Sequence, residues 1–303
     1  MTATFLTVGE ALTDIVVDTD GTRTELPGGS PLNVALALGR IDHDSHLLTR
    51  IGADARGETI RRHLDDSHVH LVPGSVDDQR TSTAEALLNA AGTAVYTFDL
   101  TWDPHPGDLP ARIDALHTGS IAATLEPGAR LVGDLIDRYR DTATISYDPN
   151  ARPDLMGDPA QARGVIERIL ARADVVKASE EDIEWLYGTS DAEDVVASWR
   201  ERGPALTVLT RGGDGAVGFS GGGRVQIAPE KVTVVDTVGA GDTFSAGILD
   251  ALAHRGLLGA HNRAALAAMP ADDLAGVLRR AARLAAITVS RAGANAPWAS
   301  ELS

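Results

Sequence analysis

No cysteine occurs in the 303 residues, which excludes disulfides, thiol nucleophiles and Cys-based zinc sites. Positive charge is scarce: 27 Lys and Arg stand against 43 Asp and Glu, a formal net charge of −16. That balance argues against nucleic acid or an anionic membrane as the main partner. Lysine is rarest, present only as Lys177 and Lys231. Any phosphate contact is therefore expected to come mainly from arginine, backbone amides or metal. Long apolar runs are missing, and none approaches the length of a membrane span. TFLTVGEAL near the start reads as a short buried strand, without the basic start and long apolar core of a secretory leader, so a cytoplasmic setting is expected. Two nucleotide signatures are absent as well: G-x-x-x-x-G-K-[ST] does not occur, and no G-x-G-x-x-G follows the first strand.

What is present is ordinary for a soluble globular chain, with 43% hydrophobic and 23% charged residues. Thr4–Gly9 reads as a buried strand, and PLNVALALGRI after the Gly28-Gly29 turn has helical apolar spacing. His46–Ile51 is a strand candidate, and Ala55–Asp65 a helix. Ser82–Leu88 and Ala94–Asp99 read as strands joined by the turn NAAG, and Ile15–Val17 with the turn at Asp20–Gly21 adds a strand pair. From Ala115 on, strand patterns at 115–119, 143–148, 174–178 and 206–210 alternate with helical windows near 128–140, 159–172 and 180–201. That rhythm predicts a parallel sheet with helices on both faces. A hairpin over Gly215–Phe219 and Arg224–Ile227 and helices at about 240–254 and 271–290 complete the pattern.

One stretch poses a chemical question. DTVGAGDTFSAG places Asp242 after a run of tiny residues, where a helix begins. A carboxylate there is either a helix cap or a base beside an anion cradle. Gly239-Ala240-Gly241 would let a phosphate approach backbone amides, which a cap alone does not require. TRGGDGAV (Thr210–Val217) has glycines suited to a nucleotide, and by itself is equally a hairpin turn.

DTVGAGDTFSAG resembles the C-terminal signature of the ribokinase-like (PfkB-type) carbohydrate kinases, and GGSPLNVALALGR is similar to their N-terminal one. VGEALTDIVVD, YDPNARP, VKASEEDIEWL, TRGGDGAV and SRAGAN follow that family's order over nearly the whole chain. GGSPLN, YDPNARP and VKASEEDIEWL look most like the bacterial fructokinase branch.

The resemblance implies one kinase domain over residues 1–303, a ribokinase-like parallel-sheet α/β sandwich with a small β-sheet lid from roughly 13–27 and 82–100. It implies ATP and Mg²⁺ as cofactors, with K⁺ a further expectation, and a small sugar as substrate. Asp242 is the implied catalytic base, and Gly239, Ala240 and Gly241 the anion hole. Asp14, Gly28, Gly29 and Asn33 fall on sugar-binding positions, and Arg152 on a phosphate contact. Thr210, Gly212 and Gly215 fall on the nucleotide loop, and Asn295 in the segment that walls the adenine pocket. Asp236 and Gly293 match the segments that hold a monovalent cation.

Two departures matter. The family's Asn-x-x-Glu appears as Ser179-x-x-Asp182, so Asp182 is expected to meet Mg²⁺ only through water. No basic residue occupies the GGSPLN turn. Tyr96, Phe98 and Trp102 are candidate lid aromatics for sugar packing, with core packing favoured for Phe98. Lid-to-lid homodimers are implied as well. Fructokinase is the leading reading. 2-keto-3-deoxygluconate kinase and ribokinase remain open, as does a sugar- or nucleotide-binding regulator without turnover.

Overall fold

Strands buried on both faces, such as Leu206–Thr210 and Ala216–Ser220, require helices on each side of their sheet. The computed structural model, which describes residues 2–88 and 94–302, has that arrangement. Nine strands among the described residues form the central sheet. From one edge they run Gly223–Ile227, Ala216–Ser220, Leu206–Thr210, Val175–Ser179 and Thr144–Asp148, then Ala115–Gly119, Thr4–Val8, Asp44–Leu48 and Val69–Leu71. Neighbours are parallel except at the first edge, where the hairpin returns antiparallel.

Successive residues of Thr4–Val8 point to opposite faces. Leu6 joins Val132, Ile136 and Ile166 of one helical layer, and Phe5 joins Leu38, Leu249 and Leu278 of the other. The second layer holds the helices that matter most below: Ser30–Arg40, buried along its whole length, Ala240–His254 and Ala271–Val289. The last two meet where a Cβ on Gly247 would lie 2.6 Å from Ala281 Cα, so that position demands glycine.

A separate four-stranded sheet has the order Arg23–Gly28, Leu12–Val17, Thr83–Leu88, Ala94–Asp99. Its register sets Asp14 beside Leu26 and Ala84, and Ala84 beside Phe98, so these side chains share a face. Both expected strand pairs of the lid are therefore present, while the NAAG turn lies outside the described residues.

Several expectations shift. The window 180–201 is two helices, Glu180–Tyr187 and Ala192–Ser198, because Gly188 takes a left-handed conformation (φ 63°) and ends the first. The strand expected at His46–Ile51 is Asp44–Leu48, and Ile51–Gly52 pairs separately with Val76–Asp77. Short elements at Val69–Leu71, Pro153–Met156 and Arg263–Ala267 left too little periodicity to be read. Among the described residues no helix is long and apolar enough to cross a membrane.

Candidate active site

Loops at the carboxyl ends of the parallel strands meet the starts of two helices, the usual location of ligands in open α/β sheets. Helix Ala240–His254 begins behind Gly239, whose left-handed φ of 76° and contact with Ala294 leave no room for a side chain. Asp242 stands on its first turn, 7% exposed, while Gly239 holds the N-cap position, and among the described residues the hydrogen bonds to its carboxylate come from side chains. The cap reading therefore fails. Ser30 Oγ donates to Asp242 Oδ1 at 2.7 Å and Asn33 Nδ2 donates to Oδ2 at 2.8 Å. Burial pushes the Asp242 carboxyl above the usual range. Ser30 and Asn33 pull it back, Asp148 pushes it further up, and Lys177 pulls it down.

Ser30 and Asn33 reach Asp242 because their helix starts at a turn only glycine fits. A Cβ on Gly29 would lie 2.4 Å from the Glu10 carbonyl oxygen, and one on Gly28 would lie 1.9 Å from Asp14 Oδ2. Asp14, Gly29, Asn33, Arg152 and Asp242 line a cavity of about 540 Å³ that the lid face covers. Gly28 abuts Asp14 from behind. Burial raises the Asp14 carboxyl to about 6, against the lowering effect of Arg152 and with a further push from Asp242. Arg152 is fixed by donating to the carbonyls of Asn150 and Ala151 and to Asn150 Oδ1.

Tyr96 and Phe98 both line this cavity, their rings stacked 5.9 Å apart, so core packing does not describe Phe98. Trp102 is a correction. It is 3% exposed, its indole donates to the Ala122 carbonyl, and it belongs to the core instead of the sugar-facing surface of the lid.

A second cavity, about 640 Å³, opens on the other side of Gly241. The two share Asn150, Thr237 and Gly241, so one groove runs past the start of the Asp242 helix. Thr210, Gly212 and Gly215 line the second cavity, as expected. Gly215 must be glycine, since its φ is 89° and a Cβ would meet the Ile227 carbonyl at 2.1 Å. Phe244, Ala282, Ala286 and Val289 supply an apolar wall. Asn295 is not part of that lining: it is exposed, and its Oδ1 accepts from Arg40 Nη1 at 2.8 Å.

Both lysines of the chain line the second cavity, a placement the sequence did not foretell. Lys177 is buried, donates to Asp148 Oδ2 at 2.9 Å, and lies 2.9 Å from where a Cβ on Gly241 would sit. Burial pulls its ammonium down, but Asp148, Asp182 and Asp242 outweigh this and hold its pKa above the ordinary value. Ser245 Oγ donates to the same Asp148 oxygen, while Asp148 Oδ1 has no partner among the described residues.

Asp182 is buried and closes a capping box with Ser179. Its Oδ2 accepts from the Ser179 amide and its Oδ1 from the Ala151 amide. The shorter acid thus ties the loop after Thr144–Asp148 to its helix, and burial raises its pKa, with Asp148 adding to the rise. With both oxygens engaged, Asp182 suits a water-mediated cation contact better than direct ligation. Asp236 and Gly293 do meet: Asp236 Oδ2 accepts from the Gly293 amide at 2.9 Å and Oδ1 from the Val238 amide at 3.0 Å.

Groove residues that sequence reasoning did not assign include Glu10, Ser30, Asn150, Lys177 and Lys231. Only the lysines carried a signal, as the two in an acidic chain.

Comparison with known proteins accords with this geometry. The model of the pfkB family carbohydrate kinases matches residues 3–301. The chain is 37% identical over 265 residues to a fructokinase of Rhizobium leguminosarum bv. trifolii, covering 84% of this chain and 81% of that one. It is 35% identical over 271 residues to a fructokinase of Klebsiella pneumoniae, covering 86% and 87%. Among solved structures, a fructokinase double mutant from Vibrio cholerae O395 with fructose, ADP and potassium bound superposes with TM-score 0.76 at 25% identity, covering 97% and 94%. A fructokinase from Xylella fastidiosa with bound ATP reaches TM-score 0.82 at 24% identity, covering 100% and 97%, a likeness of fold.

Proposed function

The chain belongs to the pfkB family of carbohydrate kinases, and from this we propose that it is a fructokinase, moving the γ-phosphoryl group of ATP to the primary hydroxyl of D-fructose that yields fructose 6-phosphate. The observation that carries the reading is Asp242, buried where two cavities meet and gripped from the sugar side by Ser30 and Asn33.

Sugar enters the lid-covered cavity and nucleotide the other. As the sugar oxygen attacks the γ-phosphorus, Asp242 accepts the hydroxyl proton while the bond to the bridging oxygen of ADP breaks. The transition state is loose, so positioning matters more than basicity. Ser30 and Asn33 orient the carboxylate. The amides of Gly239, Ala240 and Gly241 face the charge on the transferring group, and Lys177 adds a cation from beneath Gly241. Asp14, with the backbone of the Gly28-Gly29 turn, holds sugar hydroxyls, and Arg152 is within reach of the same cavity. Thr210, Gly212 and Gly215 receive the nucleotide.

Magnesium, when bound with the nucleotide, neutralises phosphate charge; the hard oxygens of Asp182 and Glu181 on the cavity wall suit its water shell. Carbonyls of the segments joined by Asp236 and Gly293 suit potassium. Equal activity in potassium and in a large organic cation would count against the potassium site.

The choice of sugar follows from charge. Glu10, Asp14, Asp154 and Asp242 line the sugar cavity against one guanidinium, Arg152, among the described residues. A neutral polyol suits such a surface, and a substrate carboxylate or second phosphate does not. That favours fructose over 2-keto-3-deoxygluconate or fructose 6-phosphate.

The same reading makes residues 1–303 one kinase domain in a cytoplasmic homodimer. Val16, Leu26 and Tyr96 leave 41%, 53% and 55% of their surface exposed, and strand alternation puts all three on the lid face that carries Asp14. An apolar patch of this kind is suited to a second copy of the lid. Light scattering would find a monomer if this is wrong.

The deciding experiment measures ADP release with Mg²⁺ and K⁺ over fructose, ribose, 2-keto-3-deoxygluconate, adenosine and fructose 6-phosphate. Fructose should lead the panel. A different winning sugar would move the pocket assignment, and silence across the panel would favour a non-catalytic regulator.

A further inference from the structure

Glu10 comes two residues after the strand Thr4–Val8 and lines the sugar-side cavity with Asp14 and Asp242. Its side chain has no part in the phosphoryl transfer described above. It is also unusual in what it leaves unsatisfied. The residue is 7% exposed and stands beside the turn after Ala115–Gly119, where Ser120 and Ala122 lower its pKa. Oε2 has no hydrogen-bond partner among the described residues. A buried carboxyl oxygen left unpaired is costly, and such atoms are normally satisfied by protein, water or ligand.

This unpaired oxygen belongs to a residue on the cavity wall, whose own carbonyl packs against the Gly29 turn. Asp14, Asp242 and Arg152 line the same cavity, so a neutral hydroxyl is the ligand class this oxygen can accept without a charge clash. Burial raises the Glu10 carboxyl to about 7, while Ser120, its own backbone, Arg152 and Ala122 lower it. Near neutral pH the group is thus available in part as an acid able to both donate to and accept from a hydroxyl.

We propose that Glu10 is a specificity-determining residue, its free carboxyl oxygen hydrogen-bonding a non-reacting hydroxyl of the sugar. This rests on the proposed fructokinase activity and adds a second acidic reader beside Asp14.

The test pairs Glu10→Gln with fructose and its 1-, 3- and 4-deoxy analogues. Wild type should lose about tenfold or more in kcat/KM on one analogue, the size expected when a buried polar group loses its partner. In Glu10→Gln the KM for fructose should rise about tenfold, with kcat and the KM for ATP nearly unchanged. The penalty on that one analogue should shrink in the variant. Should Glu10→Gln fail to fold, Glu10→Asp, which keeps the charge and retracts the oxygens, should give the same loss of selectivity.

An unchanged fructose KM in a folded variant would overturn the proposal, as would an equal loss on every analogue, the mark of a structural role. Wild type that phosphorylates no sugar would overturn the proposed function, and this inference with it.

Discussion

The two cavities beside Gly241 are built from opposite chemistry. The cavity proposed for the sugar is acidic, its carboxyls set against one guanidinium, and Leu12, Asp14, Ala84, Tyr96 and Phe98 of its wall come from the lid sheet. The nucleotide side gathers both lysines, three glycines of one hairpin turn and an apolar helix face. A polyol is neutral and needs acceptors in fixed directions. A nucleotide needs amides and cations for its phosphates and an apolar slot for its base. Asp242 belongs to the nucleotide half by sequence but is held by Ser30 and Asn33, which precede it by 212 and 209 positions. The two chemistries thus meet at Asn150, Thr237 and Gly241, and the side chain that stands at that meeting on the first cavity is Asp242.

Removing that side chain should break the comparison most severely. Asp242→Ala is expected to lower kcat by about 10²–10⁴-fold, the range for a positioned general base. Fructose and ATP binding, followed by calorimetry, should each survive, because the two cavities keep their own walls. Loss of both binding activities together would mean that Asp242 organises the groove instead of serving the reaction.

Lys177→Met should follow in size. It leaves the buried Asp148 with the Ser245 hydroxyl but without its cation, so the unfolding free energy should drop by about 3–5 kcal/mol in a urea titration. The KM for ATP should rise while the fructose KM holds, which sharpens the assignment of Lys177 to the nucleotide side.

Ser30→Ala acts more gently and tests the grip from the sugar side. The Ser30 hydroxyl lowers the pKa of Asp242, so its loss raises that pKa further. The base works deprotonated, and the acid limb of kcat/KM should therefore move to higher pH. An acid limb that stays in place would detach Ser30 from the base.

The smallest effect is expected at the lid's foot. Asp54 accepts hydrogen bonds from the Gly57 amide and from the amide and hydroxyl of Thr81, two residues before the lid strand Thr83–Leu88. Although burial opposes it, these bonds lower the Asp54 carboxyl to about 2. Its contribution is present above the ordinary carboxylate range and lost as pH falls toward 2. Asp54→Ala should cost about 1 kcal/mol at neutral pH by thermal melting and less in acid. A modest rise in the fructose KM alone would tie it to the sugar side.

Much of this was legible in the sequence, for a physical reason. Strand and helix periodicity, together with the order of the motifs, dictates which loops gather at the carboxyl edge of a parallel sheet. Asp14, Gly29, Asn33 and Asp242 do gather on one cavity and Thr210 on the other. What stayed hidden depends on register and on contacts across the chain. Nothing local tells that Lys177 rises under Gly241, that Ser30 holds Asp242, or that Glu10 leaves an oxygen free. Asn295 failed for the same reason: a polar residue in the right segment turned toward Arg40. Trp102 was misjudged because its position just after a lid strand says little about a side chain that turns back into the core.

The Gly28-Gly29 turn constrains how this pocket can change over generations. A side chain at Gly29 would strike the Glu10 backbone at a left-handed φ of 116°, and one at Gly28 would push the Asp14 carboxylate out of place, so change there costs either the backbone or Asp14. The opposing wall carries no such lock: Ala84, Tyr96 and Phe98 sit on a sheet with open space before it. New sugar preferences, whether selected in a laboratory or drifted into by duplicated copies, should accumulate on the lid while the glycine turn stays fixed.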